Sequence, residues 1–257
     1  GINAYNDGTY GGAISITTTG DTKGTQRIGI SAINANTNGT SLTINAATTT
    51  GGLSGIRTLN NGTGALSITT TGTTTGDTSE GIFALMSNTA STGDLTINAA
   101  TTTGGKRGIY ANNYGTGDLK IDAETTTGGY NGIIAVTFTL AGDLKIDAAD
   151  TEGGKHGIHA RNYGTGALSI TTTGTTTGTA YHGINASNSS ASKSDLTINA
   201  ASTTGGGHGI HARNNGTGTL NITTSGAITG GTYYGIAALT SANKMTNITL
   251  NSGAVSS

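Results

Sequence analysis

Cysteine and tryptophan are absent from this 257-residue chain, and only two phenylalanines occur in it. Without cysteine there can be neither disulfides nor thiolate metal sites. Without tryptophan, and with no long groove-forming loops, the usual sugar-binding platform of a polysaccharide-cleaving enzyme is missing. Charge is scarce too: 12 basic and 13 acidic side chains leave a net charge of −1, which provides no sustained footprint for nucleic acid. No signal-peptide pattern or apolar span long enough for a membrane helix is read along the chain. Windows with helical spacing of apolar residues are missing as well, so the apolar 33% must be organised in another way.

A Gly-Ile pair organises it. The pair recurs at Gly1, Gly29, Gly55, Gly81, Gly108, Gly132, Gly157, Gly183, Gly209 and Gly235, at intervals of 24 to 28 residues. A fixed period of this size means a stack of similar units, each touching its neighbours. A second landmark, Leu-x-Ile, follows each glycine, as in Leu95-Ile97 and Leu168-Ile170. Apolar residues two apart have the strand period, so Leu168 and Ile170 point inward, as do Ile158 and Ala160, while His159 and Arg161 point out. Thr-rich runs such as Thr101–Thr103 supply a third strand. Asn-Gly, Gly-Thr-Gly and Thr-Gly-Gly runs between strands predict turns with positive φ. Three short strands and three turns per unit predict a single all-β solenoid over 1–257, a parallel β-helix of about ten ~26-residue coils. Its length would be roughly 50 Å at the ~4.8 Å strand spacing. Strict apolar columns and almost no net charge argue against disorder, although the composition is of low complexity. The distance from glycine to the next Leu position varies, which places insertions in the first turn, at Met86 to Thr92 and Ser187 to Ser194. The start on a repeat boundary, with no obvious capping segment, reads as a fragment of something longer.

The repeats GIHARNYGTGALSITTTG and GDLTINAATTTGG resemble the passenger regions of bacterial type V autotransporters, particularly the Gly/Thr/Asn-rich ones of Bartonella and related proteobacteria. The resemblance spans nearly the whole chain. It implies a right-handed parallel β-helix, exported through the outer membrane by a C-terminal β-barrel and displayed on the bacterial surface or secreted. It further implies a host cell-surface protein or glycan as partner, in the manner of an adhesin or host-interaction factor. No catalytic motif accompanies the repeats, so a non-enzymatic protein without cofactor is expected. A spacer stalk without a ligand of its own is the alternative.

Four surface patterns are candidates for function. His156, His182 and His208 precede successive Gly-Ile pairs, so they stack ~5 Å apart. His159 and His211 form a second column, each followed two residues later by Arg161 or Arg213, and Asp195 is the one carboxylate after residue 152. This predicts a basic, pH-sensitive strip for an anionic glycan or protein surface. The alternative is tandem duplication, since GGKHGIHARN and GGGHGIHARN are copies inherited as a unit, and the spacing offers no metal site. Second, Phe83, Leu85, Ile134, Val136, Phe138 and Leu140 occupy positions that are polar in other coils. They form either a partner patch or a turn rotated locally inward. Third, the columns Asp94/Asp118/Asp143 and Asp122/Asp147, interleaved with Lys120 and Lys145, suggest charge compensation rather than a hydrolase pair or a Ca²⁺ site. Fourth, Thr-x-Thr pairs at Thr48/Thr50, Thr73/Thr75, Thr101/Thr103, Thr125/Thr127 and Thr175/Thr177 look like an ice-binding array, interrupted at Asp150/Glu152.

Overall fold

The structure, a computed structural model, describes residues 1–8, 10–138, 140–241 and 247–257. Every regular element among them is a β-strand, and every strand pair is parallel. The Gly-Ile segments form a ten-stranded sheet, and the Leu-x-Ile and Thr-rich segments form a fourteen-stranded one. Each coil contributes to both sheets, and each strand pairs with its equivalents in the coils before and after. The chain is therefore a β-solenoid of about ten coils.

The core is the predicted one. Ile158, Ala160, Leu168 and Ile170 are fully buried, and the same slots in neighbouring coils hold Ile133, Ala135, Leu144 and Ile146. One such layer is too thin to stand alone, but stacked layers make a continuous apolar column.

Two expectations about the backbone need correction. In coils three to eight the second and third strands are one continuous element, Leu66–Gly76, Leu95–Gly104, Leu119–Gly128, Leu144–Gly153, Leu168–Gly178 and Leu196–Gly205. They separate only towards the ends, as at Leu42–Ala46 and Thr49–Gly51. The longer LSITTTGTTTG strands accommodate their extra residue as an irregularity in register opposite Ala99/Thr101 and Ala148/Thr151.

The second correction concerns the glycines: among the described residues none has positive φ. The glycines serve close approach instead. A Cβ at Gly157 would lie 2.7 Å from Thr176 Cγ2 and 2.8 Å from the Gly183 carbonyl of the next coil. The buried threonine column Thr102, Thr126, Thr151, Thr176 and Thr203 fills the room that the missing side chains leave.

Asparagines build the first turn. Asn162 Oδ1 accepts the Gly164 N–H at 2.9 Å while its Nδ2 donates to the Gly166 carbonyl at 2.7 Å. Asn113 and Asn214 do the same in their coils. The side chain satisfies two backbone groups that would otherwise be stranded at the corner. The first-turn insertions start later than predicted, by one residue at Ser87 and by two at Ser189, since the strands Glu80–Met86 and Ile184–Asn188 extend past the predicted starts.

Candidate functional site

Outward positions on the ten-stranded sheet fall two and four residues after each glycine. Strand register turns them into two ladders running along the solenoid. The first reads Arg57, Phe83, Tyr110, Ile134, His159, Asn185 and His211. The second reads Ile33, Leu59, Leu85, Asn112, Val136, Arg161, Ser187 and Arg213. The predicted apolar patch and the predicted His/Arg strip thus share one face. The apolar part spans coils two to six and the polar part coils seven to nine.

The apolar half keeps its outward direction. Phe83 and Leu85 alternate with buried Ile82, Ala84 and Met86, as Ile134 and Val136 do with Ile133, Ala135 and Thr137. Local inward rotation does not occur. These side chains are half-buried against one another: Phe83 packs edge-on to Tyr110 at 5.5 Å, and the Arg107 guanidinium covers Tyr110 at 4.6 Å. Phe138 and Leu140 leave this group. Phe138 stacks on Tyr114 at 3.8 Å and lies 6.0 Å from Tyr163 in the first turn, whereas Leu140 is 63% exposed. The six predicted residues therefore divide into four on the sheet, one in a turn stack and one in solvent.

The polar half is a ring network. His182 lies 5.2 Å from His156 and 5.1 Å from both His208 and His211. His156 also meets His159 at 5.1 Å, so all five histidines connect. Tyr181, Tyr233 and Tyr234 close one edge, and Lys155 Nζ sits 5.1 Å from the Tyr130 ring and 4.9 Å from that of Tyr181. The imidazoles also hold the coils together. The His208 N–H donates to His182 Nδ1, and the Tyr234 N–H to His208 Nδ1, both at 3.2 Å. A ring nitrogen that accepts carries no proton, so neutral His182 and His208 have theirs on Nε2.

Burial sets the charge of this network. It pushes His156 down to about 3, helped by the charges on His159, His182 and Lys155. His159 and His182 fall to about 4, burial leading again, with Arg161 next for the former and His211 for the latter. His211 is lowered by burial, His208 and Arg213. At neutral pH these four imidazoles are therefore uncharged, and the strip's positive charge rests on Lys155, Arg161 and Arg213. The Arg161 guanidinium donates to Tyr163 Oη at 3.3 Å and that of Arg213 to Asn215 Oδ1 at 2.8 Å. Among the described residues neither arginine, nor Lys155, forms an ion pair with a carboxylate. No group of three or more metal-ligating side chains is found among them.

The acidic columns lie on the other sheet's side, and the first of them serves the backbone. Asp94, Asp118, Asp143 and Asp195 each accept an N–H from the following coil, at 2.7–2.9 Å. Lys120 Nζ bridges Asp94 at 3.1 Å and Asp118 at 3.0 Å, and Lys145 pairs with Asp147 at 2.7 Å. Burial alone would raise Asp118, but the Asp143 N–H and Lys120 outweigh it and hold the carboxyl below its ordinary value. The threonine array is in register too, with Thr73, Thr101 and Thr125 in one column and Thr75, Thr103 and Thr127 in the next. Asp150 and Glu152 interrupt it as expected.

Tyr110, Lys155 and the tyrosine edge escaped the sequence reading, as did Ile33 and Leu59. Reading the second and fourth residues after every glycine down the chain would have found the ladder members. No known protein family matches this chain, and neither does any curated protein or solved structure.

Proposed function

We propose that this chain is a non-enzymatic passenger of a bacterial autotransporter, surface-exposed or secreted, which binds a host protein or glycan through the outward face of its ten-stranded sheet. The observation that carries this reading is the continuity of that face. Apolar and aromatic side chains lead along two ladders to the cationic positions Arg161 and Arg213, with Asn112, Asn185 and Ser187 as neutral polar members between them. Contiguous apolar surface next to unpaired guanidinium is the composition that binding surfaces favour. The non-enzymatic part is supported by Asp94, Asp118, Asp143 and Asp147, whose oxygens are engaged by backbone N–H groups and lysines.

Host-cell binding by the purified chain tests the proposal. Saturable binding that Phe83→Ser with Ile134→Ser removes is the expected result. Binding that survives this change would move the site off the apolar half of the face, and absence of binding to any host cell would favour the spacer. The export route has its own test in the reading frame beyond Ser257. It is expected to encode ~10-residue alternating strands sufficient for a ~12-stranded barrel.

A second reading rests on the threonine columns, whose hydroxyls repeat at the ~4.8 Å rung spacing over successive coils. Thermal hysteresis in the purified chain would favour ice binding. Its absence would dismiss that reading.

A further inference from the structure

Coils seven to nine repeat their outward chemistry with a period of two coils, and that period is informative. His159 and Arg161 project from one coil, Asn185 and Ser187 from the next, and His211 and Arg213 from the third. The two guanidiniums are thus in register but separated by roughly 10 Å along the solenoid axis. That separation is close to the length of one disaccharide in an extended polysaccharide. It is also wider than the rise along the duplex axis per phosphate of one strand, about 3.4 Å.

Three further features bear on what could lie there. Both arginines are steered by neutral turn groups, Tyr163 Oη and Asn215 Oδ1, so their charge remains uncompensated. His182 and His208 have Nδ1 occupied by backbone N–H donors, which leaves Nε2–H as a donor for an incoming oxygen. Exposed tyrosines flank the strip, with Tyr181, Tyr233 and Tyr234 on one edge and Tyr163 on the other. Their rings are suited to the flat C–H faces of sugars. The strip is therefore rich in donors, aromatic at its margins and free of carboxylates.

We infer that the strip formed by His159, Arg161, His182, His208, His211 and Arg213 binds a linear acidic polysaccharide with one carboxylate per disaccharide, laid along the solenoid axis. Successive carboxylates meet Arg161 and Arg213, and the sugar between them crosses the Asn185/Ser187 rung. An acidic protein surface would satisfy the arginines but has no reason to match the two-coil period. This inference rests on the proposed binding role of the same sheet face and names its ligand class.

The intervening coil supplies the control substitutions, since Ser187 already occupies the arginine column and Asn185 the histidine column. Hyaluronan fragments of defined length, with one carboxylate per disaccharide, are titrated against the intact chain, its Arg161→Ser/Arg213→Ser variant and a Lys23→Ser/Arg27→Ser variant. The last removes equal charge from exposed positions in the first coil. Wild type and the first-coil variant are expected to bind alike. The double arginine variant should lose about tenfold or more, as charge-assisted hydrogen bonds to the carboxylates disappear. Carboxyl-reduced fragments should not bind.

No binding by wild type, undiminished binding by the double arginine variant, or equal loss in the first-coil variant would each overturn the inference. So would equal competition by polyglutamate, which would point to a protein. Should the double arginine variant still attach to host cells as wild type does, the polysaccharide assignment fails and the binding role stands. If the wild type attaches to no cell, the role itself fails, whatever the fragments do.

Discussion

The slot just before each Gly-Ile pair is handled in two ways along the same sheet. In coils three to five it holds Ser54, Glu80 and Arg107, with Glu80 Oε1 2.7 Å from Arg107 Nη1 and its other oxygen accepting from Ser79 at 2.6 Å. In coils seven to nine it holds His156, His182 and His208, stacked at 5.1–5.2 Å with no carboxylate among them. Glu80 and His156 are both buried, at 8% and 4% exposure. A buried slot must be electrically neutral or paired. One half meets that requirement with an ion pair, the other by holding the His156 and His182 imidazoles uncharged. The scaffold dictates burial, and the side chains decide which form neutrality takes.

The largest effect should come from breaking what the two halves share. Gly157 follows His156 and Gly81 follows Glu80, and a Cβ at Gly81 would lie 2.5 Å from Thr102 Cγ2 and 2.9 Å from the Gly108 carbonyl of the next coil. Gly157→Val and Gly81→Val should each destabilise the fold by about 3 kcal/mol, because backbone from the neighbouring coil cannot yield. Equal losses of denaturation midpoint would confirm a common scaffold. A tolerated substitution in one half alone would mean that the halves differ in backbone as well as in side chains. Glu80→Ala comes next. It strands the Arg107 guanidinium, whose Nε is already buried without a partner, and should cost about 2 kcal/mol. Glu80→Ala together with Arg107→Ala should recover part of that loss in the same melt.

Acid should separate the halves further. His156, His159 and His182 have folded-state values of about 3 to 4, below the ordinary 6.5 that they regain on unfolding. Depressed values make the native state the poorer proton binder, so stability is complete above pH 6.5 and declines as pH falls towards 4. The slope should reach up to ~1.4 kcal/mol per pH unit for each imidazole that remains neutral in the folded state. Midpoints measured from pH 7 to pH 4.5 should fall in the wild type and flatten in His156→Asn/His159→Asn/His182→Asn. An equally steep fall in that variant would place the acid sensitivity outside the imidazole ladder.

Periodicity made the fold legible. Gly-Ile and Leu-x-Ile determine which side chains are buried, and parallel stacking then aligns equivalent residues, so the His156–His182–His208 column was readable from spacing alone. The neutrality of His156 and His182 was not, because it depends first on burial in the folded chain. The role of glycine was misread for a similar reason. A Thr-Gly-Gly run is compatible with positive φ or with close approach, and only the neighbouring coil distinguishes them. The aspartate columns looked like surface charge, yet Asp118 and Asp143 cap the next coil through bonds that composition does not reveal. Continuity of the long strands was hidden as well, since Ala-Ala-Thr in Leu95–Gly104 carries no turn signal but also no strand alternation.

The smallest effect on stability, and the sharpest on function, belongs to the apolar half. Leu85 and Val136 stand two coils apart in the outward ladder, with Asn112 between them. Neither contributes to the Ile-Ala-Leu-Ile core, and Arg161 and Arg213 occupy the same ladder further along, so the position accepts a charge. Leu85→Asp with Val136→Asp should therefore leave the solenoid folded, at a cost of ~1 kcal/mol or less per site from lost lateral packing. Partner binding through this face should nevertheless disappear, because an unpaired carboxylate would be desolvated on contact. Cooperative unfolding close to wild type together with lost host-cell binding would mark the apolar rungs as contact surface. Retained binding would confine the interface to coils seven to nine, and the ionic half would then act alone.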